Sequence, residues 1–318
     1  MRLNELKNLR YTLPAALILI LALFILLPYT TRPYIIIMLS NIFMYIVLTL
    51  SWAFFSGPTG YISLATAAFF GVGIYTTGLF DGVLPLPLLV LSGGVASFIL
   101  AFFIGAITLR LRGIYFTVFT LGLVEFTRHM VNWWEINVVG SRGQFVTTVD
   151  NITVYLALLA VVVVLLLTTY LVKRSKYGLA LASLGSSEEA SVHIGVDIVK
   201  LKVFTFAVSA FFMGLTGTIM ATRWSYFDAT TAFDPFYSFL PPLMGIFGGL
   251  GNIFGPLVGA SVFTYLEEEL ITSFPHTYML IFGVVMVVTI LYLPNGLVGL
   301  YQTIRSRITG GKNANAAS

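Results

Sequence analysis

The chain alternates long runs of apolar residues with short polar segments. The apolar runs fall at 11–28, 34–55, 61–80, 83–109, 114–131, 152–172, 201–222, 236–250, 252–271 and 277–293. Most of them approach the length of about 20 residues that an α-helix needs to cross the hydrocarbon core of a bilayer. The pattern therefore predicts an all-α fold, a polytopic transmembrane helix bundle of about 10 spans (8–10), and leaves the span count around 236–271 open.

Two polar segments between the runs are long enough to form substantial loops. Residues 132–151 are predicted as an external loop, and residues 173–200 as the main cytoplasmic loop. The first apolar run is followed by no small-residue cleavage site, so we expect a retained span rather than a cleaved signal peptide. The domain boundaries that follow are a cytoplasmic N-terminal tail at 1–10, a single transmembrane domain at 11–300 and a cytoplasmic C-terminal tail at 301–318.

The composition supports a membrane protein. Of the 318 residues 58% are hydrophobic and only 9% are charged, and the mean hydropathy is +0.95. A soluble domain carries about 25% charged residues, so a cytosolic enzyme is excluded. The absence of cysteine excludes disulfides, Fe–S clusters and thiolate zinc sites. His129, His193 and His276 lie far apart in the sequence, so we expect no metal site.

The basic residues orient the predicted bundle. With ten alternating spans and a cytoplasmic N-terminus, the inner segments hold 13 of the 17 basic residues: Arg2, Lys7, Arg10, Arg110, Arg112, Lys173, Arg174, Lys176, Lys200, Lys202, Arg305, Arg307 and Lys312. Cytoplasmic loops are enriched in Lys and Arg, so both termini are predicted to be cytoplasmic. The net charge of +4 is then a topology signal, and we expect no nucleic-acid partner.

Glycine and proline interrupt the apolar pattern in two related places. Gly57-Pro58-Thr59-Gly60 is predicted to open the run at 61–80, and Gly248-Gly249-Leu250-Gly251 the run at 252–271. Small residues allow helices to pack closely. Backbone breaks at membrane depth are tolerated where they are buried by protein or line a cavity. Two interpretations therefore stay open, which are tight helix packing and a broken helix lining a translocation path.

The fifth run carries an ionisable pair. Glu125 and Arg128 are three residues apart, hence on one helical face. Ionisable groups within a membrane often mark a pathway, although Arg128 at the outer end of the run is equally compatible with a structural pair. Together with polar residues near the first break and in the fifth run, the candidate translocation path comprises Ser63, Thr66, Tyr115, Thr120, Glu125 and Arg128.

The cytoplasmic loop has helical potential around 177–184 and again around 187–194. Ser186 or Ser187 followed by Glu188 and Glu189 is typical of a helix start. Neither a nucleotide-binding loop nor a hydrolase motif occurs in the chain, so we expect no enzymatic activity and no bound cofactor. A transporter of this kind must draw its energy from an ion gradient or from a separate ATPase.

Several segments, in the same order, resemble the LivM-type inner-membrane permeases of branched-chain amino acid ABC transporters. The matching blocks are GYISLATAAFFGVGIY at 60–75, RLRGIYFTVFTLGLVEFTR at 110–128, GGLGNIFGPLVGA at 248–260 and LPNGLVGL at 293–300. In the cytoplasmic loop, Glu189, Ala190 and Gly195 match the E-A-A-x-x-x-G motif of importer permeases.

The resemblance implies a non-catalytic permease subunit in the inner membrane of a prokaryote. It implies a bundle with broken helices and a cytoplasmic coupling helix. The coupling residues are then Ser187, Glu188, Glu189, Ala190, Ser191 and Gly195. The implied partners are a homologous permease, two ATP-binding subunits that bind the ATP, a solute-binding protein and the lipid bilayer. The implied substrate is a branched-chain amino acid or a related small polar solute.

A second hypothesis is an ion-coupled secondary transporter, in which Glu125 is the protonation site. It differs from the first in its energy source, because its uptake survives removal of the ATPase and collapses with an uncoupler. A membrane enzyme is the third class considered, and it would need paired catalytic groups that the sequence lacks.

Overall fold

The computed structural model describes residues 21–111, 113–186 and 197–274, together with Leu19 and scattered positions between 277 and 299. A short 3₁₀ turn at Leu27–Tyr29 precedes ten helices. These helices are α1 Pro33–Thr59, α2 Thr66–Phe80, α3 Leu86–Thr108, α4 Ile114–Trp134, α5 Asn151–Arg174, α6 Lys176–Ser186, α7 Ile198–Ala221, α8 Ala229–Ala232, α9 Phe236–Gly248 and α10 Phe254–Ser273. The predicted coupling residues 187–191 and 195 lie outside the described residues.

Four of the described helices are long and apolar enough to cross a membrane, namely α1, α3, α5 and α7. The bounds of α3, α5 and α7 closely match the predicted runs, because charges and prolines delimit them. α2 is apolar but has only 15 residues, which corresponds to about 22 Å of helix against a hydrocarbon core of about 30 Å. The protein is therefore a helical multi-pass membrane protein.

Local chemistry explains where several helices begin. Asp150 accepts a hydrogen bond from the backbone N–H of Ile152 at the start of α5, and Asp197 accepts one from Lys200 at the start of α7. Asp228 does the same for Thr231 in α8. An acidic side chain at this position satisfies a free backbone donor and interacts favourably with the helix dipole. The hydrogen bond from the Lys200 side chain holds the pKa of Asp197 below its usual range.

Close packing by small residues joins α2, α3 and α7 at the centre of the bundle. The backbones of Gly73 and Gly214 meet so closely that a Cβ atom on Gly73 would overlap the Gly214 carbonyl. The Thr218 hydroxyl is 3.0 Å from the carbonyl oxygens of both glycines, and the Ser97 hydroxyl donates to the Phe69 carbonyl at 2.9 Å. The tight-packing interpretation is therefore confirmed for the small residues of α2.

The two glycine-rich segments do not open helices as the sequence predicted. Gly57, Pro58 and Thr59 form the last turn of α1, and Gly60 ends it in the left-handed conformation at φ 70°. In the same way Gly248 ends α9, and Gly249 follows at φ 99°. The prediction was wrong because a glycine that follows a helix is a common helix terminator, so the motif belongs to the preceding helix.

The segments predicted to be external meet at one end of the bundle. Strand β1, Gln144–Phe145, pairs antiparallel with β2, Tyr226–Phe227, and Asp81 accepts hydrogen bonds from the backbone and the side chain of Thr147. The segments predicted to be cytoplasmic meet at the opposite end, where Gly185 lies against the Pro58 carbonyl. We call these the outer end and the inner end. The β1–β2 pair is the one described departure from an all-α fold.

The predicted external loop 132–151 begins later than expected. α4 continues beyond Trp134 as a π-helical turn from Glu135 to Val139. The buried carboxylate of Glu135 accepts hydrogen bonds from the Tyr75 hydroxyl at 2.8 Å and from the backbone N–H of Gly143 at 3.0 Å. These tertiary bonds prolong the helix and fold the loop back over α2.

Candidate functional site

A non-helical linker at 60–65 joins α1 to α2 inside the bundle. Its backbone conformation is set by side chains from two helices. The Trp52 indole N–H donates to the Ser63 carbonyl at 2.9 Å, and the Thr117 hydroxyl donates to the Ile62 carbonyl at 2.8 Å. The backbone N–H of Leu64 donates to the Thr120 hydroxyl at 2.9 Å. These three bonds satisfy polar backbone groups of the linker with protein side chains, which is the condition for non-helical backbone inside a membrane protein.

The side chain of Tyr61 anchors the start of the linker. The Lys202 ammonium lies 3.9 Å from the centroid of the Tyr61 ring, and the Phe116 ring packs against the same ring edge-on. Lys202 is almost fully buried, so this contact places a positive charge beside the linker. Residue 61 is therefore held between α7 and α4.

Three of the six candidate path residues converge at the linker. Ser63, Thr66 and Thr120 are all buried, and Thr120 bonds directly to the linker backbone. The Thr66 hydroxyl is buried and has no hydrogen-bond partner among the described residues. At the start of α2, directly after the linker, the Ser238 hydroxyl accepts a hydrogen bond from the backbone N–H of Ala67 at 3.0 Å. The linker region is thus polar as well as irregular.

The other three candidates also lie on α4, with Tyr115 on a face that the rest of the described chain leaves uncovered and Glu125 and Arg128 partly buried beside that face. Tyr115 is 73% exposed. Glu125 forms the predicted i,i+3 ion pair with Arg128, and the His129 ring lies 3.8 Å from the same carboxylate. The pairing prediction is confirmed. The structure does not bring this pair to the linker, because Glu125 is more than one helical turn beyond Thr120.

The inner end carries a cavity of about 390 Å³ that the sequence did not indicate. It lies between the last turns of α1 and α5, the helix α6 and the connection from α9 to α10. Its lining includes Phe54, Pro58, Lys173, Leu181 and Ile253. α6 directly precedes the predicted coupling residues, which lie outside the described residues. The predicted helical segment at 177–184 is confirmed by α6.

The outer end carries a second cavity, of about 270 Å³, which we call the outer cavity. Its polar lining comprises Asn41, Tyr45, Arg223, Tyr237, Thr264, Glu267 and Glu268. The candidate residues chosen from the sequence include neither Arg223 nor the two glutamates. The sequence did contain a sign of this cavity. Arg223 and the two glutamates carry opposite charges at the outer ends of two predicted spans, so they are expected to lie at a similar height in the bundle. Within the described part of the chain, no three metal-binding side chains are grouped.

Comparison with known proteins places these features in a family context. Residues 34–290 match the family model described as the branched-chain amino acid transport system / permease component. This match begins in the first turn of α1 and extends past the end of α10. No solved structure matches the chain.

Individual relatives are consistent with that match. The high-affinity branched-chain amino acid transport system permease protein LivM of Salmonella typhimurium is 28% identical over 291 residues, which cover 80% of this chain and 67% of the relative. LivM of Escherichia coli is 27% identical over 292 residues, which cover 80% of this chain and 67% of that relative. The ribose import permease protein RbsC of Haemophilus influenzae is 31% identical over 105 residues, 32% of each chain.

Proposed function

Because the chain belongs to the permease-component family of branched-chain amino acid transport systems, we propose that it is the membrane permease subunit of an ATP-driven ABC importer. The observation that carries the proposal is the family match over residues 34–290, which includes nearly all the described helices. The proposed substrate is a branched-chain amino acid or a related small polar solute. The protein itself would catalyse no reaction, and ATP would be bound by partner subunits.

We propose that the translocation path runs along the linker and the uncovered face of α4. A charged group at the centre of a bilayer costs about 2.5–3.5 kcal/mol, so the Glu125–Arg128 pair is better placed against protein or water than against lipid. A second, homologous permease packed beside this face would enclose a path. That path would contain Ser63, Thr66, Tyr115, Thr120, Glu125 and Arg128.

We propose that residues 187–195 dock onto an ATP-binding subunit at the inner end. The support comes from the E-A-A-like motif in the sequence and from the position of α6, whose last turn contacts the end of α1 through Gly185 and Pro58. A movement of the docked segment would reach the linker through α1, because Thr59 and Trp52 belong to the same helix. Two ATP-binding subunits and a solute-binding protein complete the proposed assembly.

The proposed topology has about 10 spans, both termini in the cytoplasm of a prokaryote and the outer end facing away from it. The clustering of the predicted loops at two opposite ends supports alternation of the spans. The excess of Lys and Arg in the predicted inner segments supports the direction.

The proposal is tested by reconstituting the chain with a homologous permease, the ATP-binding subunits and a solute-binding protein from the same organism. We expect uptake of radiolabelled L-leucine into proteoliposomes that requires enclosed ATP and persists with an uncoupler. Glu189→Lys should abolish co-purification with the ATPase while the chain still inserts into the membrane. Uptake that persists without the ATPase and collapses with the uncoupler would instead identify an ion-coupled transporter.

A further inference from the structure

The outer cavity is enclosed by four helices that are distant in the sequence. Asn41 and Tyr45 come from α1, Arg223 follows α7, Tyr237 comes from α9, and the acidic residues come from α10. The cavity lies towards the end that carries the β1–β2 pair, since Arg223 directly follows α7 and precedes β2. In the proposed topology, this is the side from which an importer would receive its solute.

Charges of both signs line this cavity without forming an ion pair with each other. Arg223 donates one hydrogen bond, from Nη1 to the Asn41 Oδ1 atom at 2.7 Å. Within the described residues no carboxylate lies within ion-pair distance of its guanidinium, and neither Glu267 nor Glu268 forms an ion pair. Arg223, Glu267 and Glu268 are all partly buried. Because the guanidinium and the carboxylates are not paired with each other, both remain available to a ligand that carries both signs.

The remaining walls are apolar or aromatic. Met44, Met220 and Ile271 contribute aliphatic and thioether surface, and Trp224 contributes an indole. The Tyr45 and Tyr237 rings lie side by side with centroids 6.5 Å apart. Methionine adapts to irregular apolar groups, and aromatic faces attract ammonium groups. The cavity thus combines two opposite charges with a small apolar surface.

We propose that the outer cavity binds an α-amino acid in its zwitterionic form. The planar guanidinium of Arg223 takes the α-carboxylate, and Glu267 with Glu268 takes the α-ammonium. The apolar side chain of the amino acid contacts Met44, Met220 and Ile271. In the transporter, this site would receive the solute after the binding protein releases it. That role rests on the proposed importer function.

Other solute classes fit the same lining less well. A simple anion would meet the two glutamates, and a simple cation would meet Arg223. A sugar would leave all three charges without a counter-charge. The cavity therefore selects ligands that carry both an acidic and a basic group and that are small enough to fit.

The test uses the full chain purified in lipid nanodiscs and ligand-observed NMR with millimolar probes. The probes are L-leucine, 4-methylpentanoate, which lacks the ammonium group, and isoamylamine, which lacks the carboxylate. We expect binding of L-leucine alone. Arg223→Met and Glu267→Gln should weaken it at least about tenfold, a loss of one favourable charge contact. The conservative Arg223→Lys should weaken it less, because it keeps the charge but not the planar fork.

Matched controls keep the test independent of folding. Glu269→Gln removes an exposed charge from the same helix, and Arg142→Met removes an exposed arginine from the outer end. Both should bind L-leucine as the wild type does. Size-exclusion profiles and thermal unfolding identify variants that fail to fold, in which case Arg223→Lys and Glu268→Gln decide the result.

The proposal is overturned if the wild type does not bind L-leucine, if the cavity variants bind it equally well, or if either truncated probe binds as strongly. These outcomes are separate from those of the uptake experiment. ATP-driven leucine uptake that the cavity variants leave unchanged would overturn the outer site and spare the importer function. Leucine binding by a chain that supports no ATP-driven uptake would overturn the importer function and leave the outer site standing.

Discussion

At the scale of single residues, Thr120 links a helix to the non-helical linker. Its hydroxyl accepts from the backbone N–H of Leu64 and donates to the Thr117 carbonyl. Thr120→Val keeps the shape of the side chain and leaves the partly buried Leu64 N–H without an acceptor, at a cost of up to about 1–3 kcal/mol. We expect a lower thermal unfolding temperature in nanodiscs and reduced substrate uptake.

The matched control lies on the same helix. The Thr127 hydroxyl donates only to the carbonyl of Leu123 within α4, so Thr127→Val removes a hydroxyl without touching the linker. Its unfolding temperature should stay close to that of the wild type. Equal behaviour of the two valine variants would mean that Thr120 does not stabilise the linker.

At the scale of the helices, the contact between α2 and α7 depends on Gly73. Gly73→Ala places a methyl group against the Gly214 backbone, and such overpacking costs about 1–3 kcal/mol. Gly122 in α4 has no neighbour within 4 Å of the corresponding position. Gly122→Ala should therefore stabilise by roughly 0.5–1 kcal/mol through helix propensity. Thermal unfolding of both variants measures the contrast, and a neutral Gly73→Ala would contradict the close contact.

The charged face of α4 allows a test of the proposed path. Arg128→Leu removes the arginine and leaves the Glu125 carboxylate with the more distant His129 ring, so we expect poor membrane insertion or folding. The double variant Glu125→Leu/Arg128→Leu removes both charges and should insert nearly as well as the wild type. If the pair lines the path, the double variant should still have lost most uptake. Wild-type uptake by the double variant would assign the pair a structural role alone.

At the scale of the whole molecule, the sequence predicted most of the described long helices, because charges and prolines mark their ends. It did not predict the linker at 60–65, whose residues are as apolar as a helix interior. The linker is held by Trp52, Thr117 and Thr120, and only the tertiary fold brings these residues to it. The outer cavity stayed hidden for the same reason, since Asn41 and Arg223 meet only after α1 and α7 have packed.

The chain contains no cysteine, which makes its orientation directly measurable. Single cysteines can be introduced at exposed positions, Ser141 at the outer end and Leu111 at the inner end, without first removing native ones. The distribution of Lys and Arg predicts that the outer end faces away from the cytoplasm. A membrane-impermeant maleimide added to intact spheroplasts should therefore label Ser141→Cys, and it should label Leu111→Cys only after permeabilisation. Labelling in the opposite pattern would reverse the topology, and it would put the outer cavity on the wrong side to receive a solute from outside the cell.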